Sequence, residues 1–367
     1  MEYDKERFFK KIQKIPLSIP IVTSLICIYG FILLYSAAGG SLTPWASKQI
    51  TIFSIFMPVS IFIAMLDLRL IYRYSYAFYA LTLLLLIIVE IFGKSAMGAT
   101  RWLDLGVFTI QPSELVKISV VLMLARYFHD FHKENLSTYS MVFPIIASII
   151  PIALVIKQPD LGTGMVTLIV VVVLFFAAGT KLIYFLSSGA LGLMSMPLIW
   201  LMMHNYQRNR VLTFLNPERD PLGAGYNIIQ SKIAIGSGGL FGKGLFSGTQ
   251  SQLSFLPEHQ TDFIFAFLTE ELGFVGGVVL LFLYSILIIS SLSIAINCRS
   301  YFAKLMTIGI TTLFFIHIFI NISMVMGLLP VVGIPLPLVS YGRTMIVSML
   351  IGFGLIMNAA VNQRSIV

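Results

Sequence analysis

Charge is what this chain has least of. Only 11% of its 367 residues are Asp, Glu, Lys or Arg, against about 25% in an ordinary soluble domain. Cysteine is nearly absent, and Cys27 and Cys298 stand far apart, so neither a disulfide framework nor a metal knuckle can be read from their spacing. Of five histidines, none falls in an H-E-x-x-H pattern; His259 with Glu258 and Asp262 does not make one, which argues against a zinc peptidase. No G-x-S-x-G elbow occurs. Internal repeats and low-complexity tracts are also missing, which weakens a transporter built from two inverted halves.

What is abundant is apolar surface. Hydrophobic residues make up 57% of the chain and mean hydropathy is +0.92. Such a chain needs lipid as part of its solvent, and soluble-globular classes are excluded. The formal net charge of +8 does not mark a nucleic-acid binder, because the basic residues flank apolar runs instead of forming one patch.

Apolar stretches able to cross about 30 Å of hydrocarbon fall at 16–37, 49–66, 74–93, 113–128, 141–157, 163–180, 182–203, 262–296, 303–328 and 340–360. The expected fold is therefore an all-α polytopic membrane protein, one membrane-embedded domain over 1–367, with about ten transmembrane helices. The first run is too long for a signal-peptide core and reads as a retained span. Lys/Arg asymmetry sets the orientation. With the N-terminus inside, short inner segments carry Lys5, Arg7, Lys10, Lys11, Lys14, Arg69, Arg73, Arg126, Lys133, Lys181, Arg299, Lys304 and Arg364; outer ones carry Lys48, Lys94, Arg101, Lys157 and Arg343. Both termini are then cytoplasmic. The same reasoning places residues 204–261, a large loop between spans seven and eight, on the extracytoplasmic side. Loops of that length are usually functional or disordered, and this one mixes apolar groups with glycine. Within it, Gly225 to Ile235 reads as an interfacial helix laying Ile228, Ile229 and Ile233 on the membrane.

Candidate chemistry gathers at the outer face. Pro257-Glu258-His259-Gln260-Thr261-Asp262 leads into the apolar run of span eight, placing the Asp262 carboxylate at the water–lipid boundary. There it can take a proton or hold a divalent cation against a phosphate-bearing headgroup; a helix-start acid favoured by the dipole is the plainer reading. Glu270 and Glu271 lie roughly 12 Å further along that helix and must face protein or water. Span four opens with Gln111-Pro112-Ser113-Glu114, a good helix start, and Lys117 follows on the same face within pairing reach. Arg101-Trp102 sits in an outer loop where Arg meets phosphate and Trp the interface. Arg208 and Arg210 follow span seven, placed either to bind phosphates or to snorkel. The glycine-rich run Gly236 to Gly244 mimics a nucleotide loop, but Ser237 stands where a P-loop needs glycine and Gly244 where Ser or Thr would hold magnesium.

Several segments together resemble one family. They are Arg101-Trp102-Leu103, Gln111-Pro112-Ser113-Glu114-Leu115-Val116-Lys117 and Lys157-Gln158-Pro159-Asp160-Leu161-Gly162-Thr163, then Gly225-Tyr226-Asn227 with Gln230-Ser231, Pro257 through Phe265, and Pro335-Leu336-Pro337 with Ser340-Tyr341-Gly342. This resembles the SEDS family (shape, elongation, division and sporulation proteins), its rod-shape branch more than its division branch. The resemblance implies a peptidoglycan glycosyltransferase of the bacterial cytoplasmic membrane, polymerising lipid II on the periplasmic side and releasing polyprenyl diphosphate. It implies Asp262 as the catalytic residue and Glu114 and Lys117 as functional positions. The expected mechanism adds a divalent cation, Mg²⁺ or Mn²⁺, at Asp262 and places Arg101, Lys157, Asp160, Arg208, Arg210 and Ser340 around the substrate with Glu114 and Lys117. A class B penicillin-binding protein and other membrane proteins of the elongation complex are the implied partners. The family usually carries a second glycine where this chain has Arg343. Two further readings, a flippase for the lipid-linked precursor and a scaffold that only recruits the transpeptidase, differ in requiring no outward-facing base.

Overall fold

The computed structural model describes residues 11–96, 99–104, 109–131, 139–203, 205–220, 223–249 and 255–365; Lys5, Arg7, Lys10 and Lys133 of the charge reading lie outside them. The chain is mostly helical. Among the described residues, six helices are long and apolar enough to cross a membrane: α1 Ser18–Ala37, α2 Ala46–Met65, α3 Leu68–Phe92, α10 Ile264–Asn297, α11 Tyr301–Val325 and α12 Arg343–Val361. Between them stand α4 Pro112–Asp130, α5 Val142–Lys157, α6 Leu161–Ala177 and α7 Leu182–Met202. Each expected apolar run thus falls on a helix, with ends that differ by a few residues. The architecture is that of a multi-pass membrane protein.

The expected all-α fold needs one correction. Residues 94–110 hold a small antiparallel sheet, β1 Lys94–Ala96, β2 Ala99–Asp104 and β3 Thr109–Ile110, with β2 in the middle. Backbone leaving the end of α3 has no helical partner, and hydrogen bonding strand to strand satisfies it.

α4 is the centre of the bundle. It starts well: Pro112 occupies the first turn and Glu114 complements the dipole. It packs against α3, α5, α6, α11 and α12, and nearly every residue from Pro112 to Phe128 is buried. Glu114 and Lys117 therefore lie inside protein, where lipid cannot reach them.

The long loop between α7 and α10 contains helices among its described residues. It holds α8 Asn205–Leu215 and α9 Ala224–Ser237. α9 lies where an interfacial helix was expected, but its seating differs: Ile228 is buried, whereas Ile233 is exposed. Ser231, also buried, donates to the carbonyl of Val325 at 2.8 Å. The helix packs one apolar edge on the bundle because α10 and α11 offer a larger dry surface than an interface does.

α10 is not one continuous helix. Gly273 has φ 68° and ψ −166°, a conformation open essentially to glycine alone. The break orphans carbonyls and amides that a helix would pair. The glycine-rich run supplies the replacements: the amides of Lys243 and Gly244 donate to the carbonyls of Glu270 (3.0 Å) and Glu271 (2.9 Å), and those of Phe274 and Val275 donate to Gly239 (2.9 Å) and Leu240 (3.1 Å). The run dismissed as a nucleotide loop is a splint for a broken helix. The short first half of α10 that results carries Asp262 just ahead of it.

Candidate functional site

Asp262 sits in the turn Pro257–Phe263 that feeds α10. The turn knits itself together: Glu258 O accepts from the amides of Thr261 (3.1 Å) and Phe263 (3.3 Å), while Glu258 Oε2 accepts from the Thr261 hydroxyl at 3.0 Å. The segment 326–342 clamps it from outside. Ser340 Oγ donates to Thr261 O at 2.6 Å and accepts from the Leu336 amide at 2.7 Å. The Tyr341 amide donates to Gln260 O at 2.9 Å. Gly333, at φ +75°, lies so close that a Cβ there would stand 3.3 Å from Asp262 Oδ2.

The Asp262 residue is half-buried. Burial, reinforced by the negative charge of Glu258, pushes its pKa up to about 6, against the pull of Arg210 and Arg101. A carboxyl with that value is a better proton acceptor than an ordinary one and is still ionised at neutral pH. His259 plays no part in this: its Nδ1 faces Leu256 O at 3.1 Å and its ring packs edge-on against Trp45.

The other expected residues occupy distinct places. Arg101, on β2, donates Nε to Gln158 O at 3.2 Å and also to Pro159 O, and its Nη1 is 3.8 Å from Asp160 Oδ1. Asp160 also caps α6, accepting from the Thr163 amide. Both belong to the same end of the bundle as Asp262, and Arg101 and Arg210 are close enough to act on its charge. Lys157 instead pairs with Glu90 on the surface. Arg208 donates to the carbonyls of Trp200 (2.9 Å) and Leu201 (2.7 Å), tying α8 to the end of α7. Ser340 spends its hydroxyl on the turn described above. Arg343 opens α12 and donates to the Thr109 hydroxyl at 2.9 Å, pinning β3 to the start of that helix.

Glu114 and Lys117 form a sealed pair. Lys117 Nζ is 2.8 Å from Glu114 Oε1 and 2.8 Å from His317 Nε2. His317 Nδ1 faces the Leu313 carbonyl at 2.7 Å; a carbonyl only accepts, so Nδ1 carries the proton and Nε2 is left to accept from Lys117. Ser348 donates to Glu114 Oε2 at 3.2 Å. Lys117 is 1% exposed. At Glu270 and Glu271, buried as expected, Lys243 reaches Glu270 at 2.8 Å while Ser36 and the Phe246 amide reach Glu271 at 2.7 and 2.9 Å.

Sequence reasoning missed His317 and Asn321. Both are buried polar residues in an otherwise apolar span, and that pattern alone marks functional candidates in a membrane protein.

The cation question turns on the donors near Asp262. Glu258 is the second carboxylate acting on it, and no group of three or more His, Cys, Asp or Glu residues forms a cage among the described residues. Magnesium is commonly held by one or two carboxylates plus substrate phosphates. The residues fit a cation shared with a phosphate-bearing substrate.

A family model described as a cell cycle protein, FtsW/RodA/SpoVE, matches residues 16–365. Over 363 residues the chain is 41% identical to the peptidoglycan glycosyltransferase MrdB of Escherichia coli K12, covering 98% of this chain and 97% of that one. A solved structure of a peptidoglycan synthase complex that coordinates polymerization and crosslinking matches with a TM-score of 0.82 and 31% identity, over 94% of this chain and 97% of its own. The crystal structure of the Thermus thermophilus rod shape determining protein RodA matches with a TM-score of 0.72 and 26% identity, over 95% and 97%.

Proposed function

The chain belongs to the FtsW/RodA/SpoVE cell cycle protein family and is a peptidoglycan glycosyltransferase of its rod-shape branch, and from that premise we propose that Asp262 is the general base that extends the glycan strand from lipid II. The observation that carries the assignment is the half-buried carboxylate with a raised pKa, seated at the mouth of an apolar helix within electrostatic reach of Arg101 and Arg210.

A sugar hydroxyl is a poor nucleophile until a base takes its proton, a contribution of about 10²–10⁴-fold. The hydroxyl oxygen of the incoming lipid II bonds to the anomeric carbon of the growing chain. The bond from that carbon to the diphosphate oxygen breaks, its electron pair leaves with polyprenyl diphosphate, and Asp262 holds the proton before passing it to water. Arg101 and Arg210 offset the charge that gathers on the leaving group. A divalent cation, held by Asp262 with Glu258 nearby, supplies further charge neutralisation at the diphosphate when bound. Lys117 and Glu114 support α4 from within and do not touch the headgroup.

In this reading α1 to α7 and α10 to α12 are ten spans, both termini face the cytoplasm, and residues 204–261 with the Asp262 turn face the periplasm. Arg101, Asp160, Ser340 and Arg343 all cluster at the end of the bundle that this topology makes the outer one. The partner is a class B penicillin-binding protein that crosslinks the strands, a reading supported by the likeness to the synthase complex.

The test is gel analysis of glycan made from lipid II by the purified chain, with and without the transpeptidase partner, and with and without Mg²⁺ or Mn²⁺. Polymer from the parent and none from Asp262→Ala supports the proposal. Movement of labelled lipid across vesicles without polymer would favour the flippase reading instead.

A further inference from the structure

α11 crosses the bundle as an apolar helix, yet it buries His317 and Asn321 one turn apart on the same face. His317 is accounted for by Lys117. Asn321 serves a different group. It is fully buried, and its Nδ2 donates to Asp262 O at 2.8 Å and to Ile334 O at 2.7 Å. Both acceptors are carbonyls, so only the amide nitrogen can face them and the orientation of the side chain is fixed. Its Oδ1 accepts no hydrogen bond among the described residues.

That arrangement is costly. A buried amide oxygen left idle is destabilising, and a leucine of similar volume would pack there without it. The compensation is specific to Asp262. No amide of α10 takes the Asp262 carbonyl, because Ala266 N and Phe267 N both donate to Phe263 O. Asn321 therefore sets the peptide plane on which the carboxylate rides, and couples it to Ile334, the neighbour of the Gly333 that backs Asp262 Oδ2. Reactive groups need to be held within about 0.5 Å and 10–20°.

We propose that Asn321 is a positioning residue for glycosyl transfer, its amide locking the Asp262 peptide against the Ile334 segment so that the carboxylate meets the acceptor hydroxyl. The inference rests on Asp262 being the base.

Asn358 provides the control. It is also fully buried, and its Nδ2 likewise donates to backbone carbonyls, those of Ile63 (2.9 Å), Ala64 (3.4 Å) and Leu66 (2.8 Å), near the far end of α12. The experiment measures kcat and KM for lipid II with the full chain in nanodiscs, alongside Tm, for Asn321→Leu, Asn321→Ser, Asn358→Leu and Asp262→Asn. Asn321→Leu is expected to lower kcat about 10²-fold, the cost of a roughly 1 Å misplacement, with KM within about threefold. Asn321→Ser, which keeps one donor, falls between it and the parent. Asn358→Leu keeps kcat within about threefold whatever its loss in Tm. The proposal is overturned if Asn321→Leu retains the parental kcat, if its defect lies in KM, or if Asn358→Leu loses kcat as severely. Should Asn321→Leu not fold, Asn321→Ser decides: reduced kcat at unchanged KM supports the proposal, and parental kcat overturns it. If Asp262→Asn is active, the base assignment itself fails; if it is inactive while both Asn321 variants are normal, only this inference does.

Discussion

Replacing Gly273 by alanine tests whether the splint holds the broken helix. At φ 68° and ψ −166° an alanine pays roughly 1–3 kcal/mol in backbone strain. Its Cβ would also stand 2.3 Å from Gly242 N and 2.5 Å from Leu240 O, both backbone atoms that cannot swing aside. Relief requires the loop to withdraw, which breaks some of the four backbone bonds joining it to α10, each contributing about 0.5–1.5 kcal/mol. Strain together with two lost bonds comes to about 2–6 kcal/mol. The assay is thermal unfolding of the purified full chain in detergent, read by tryptophan fluorescence, with limited trypsin digestion alongside. Gly273→Ala should melt several degrees below the parent and become cleavable at Lys243 as the loop loosens. Parental Tm and an unchanged digest would mean that the chain heals into one helix, and the reasoning would be refuted.

Lys117→Met should destabilise by about 3–5 kcal/mol by leaving the Glu114 carboxylate buried without its cation, whereas Glu114→Gln with Lys117→Met should recover much of that in chemical denaturation; equal losses would contradict the pairing. With Asp262 as the proposed base and burial raising its pKa to about 6, kcat/KM should fall about tenfold per unit as pH drops below that value. Glu258→Gln removes a negative neighbour and should move this limb to lower pH, while Arg210→Ala removes a positive one and should move it higher. Arg208→Ala should leave Tm almost unchanged and kcat within about twofold, since Arg208 is engaged by the Trp200 and Leu201 carbonyls in bonds exposed to solvent; a tenfold loss in kcat would restore it to the substrate site.

The helical bundle was legible in the sequence because apolar length is a local property: each of the ten runs coincides with a helix. Asp262 was legible for the same reason, as a carboxylate abutting an apolar run. The break at Gly273 was not, because it depends on the carbonyls of Gly239 and Leu240 and the amides of Lys243 and Gly244, which approach only in three dimensions. Nor was the division of labour among the outer residues. Arg101 and Arg208 look alike in sequence, and only the fold shows one turned to the Gln158–Asp160 turn and the other to the end of α7. Ser340 was picked out by its motif, yet its hydroxyl holds the Asp262 turn, a role set by the Thr261 carbonyl seventy-nine positions away. His317 and Asn321 carried a usable signal, polar residues one turn apart in a membrane span, which went unread because they form no charged motif.

The most direct measurement is single-turnover glycan formation from lipid II by the full chain bearing Asp262→Asn, a change that keeps the size and shape of the side chain and removes its charge, and with it the capacity to take the proton. Loss of at least about 10²-fold in rate, with lipid II still bound, is the predicted result. A rate within a few-fold of the parent would contradict the account.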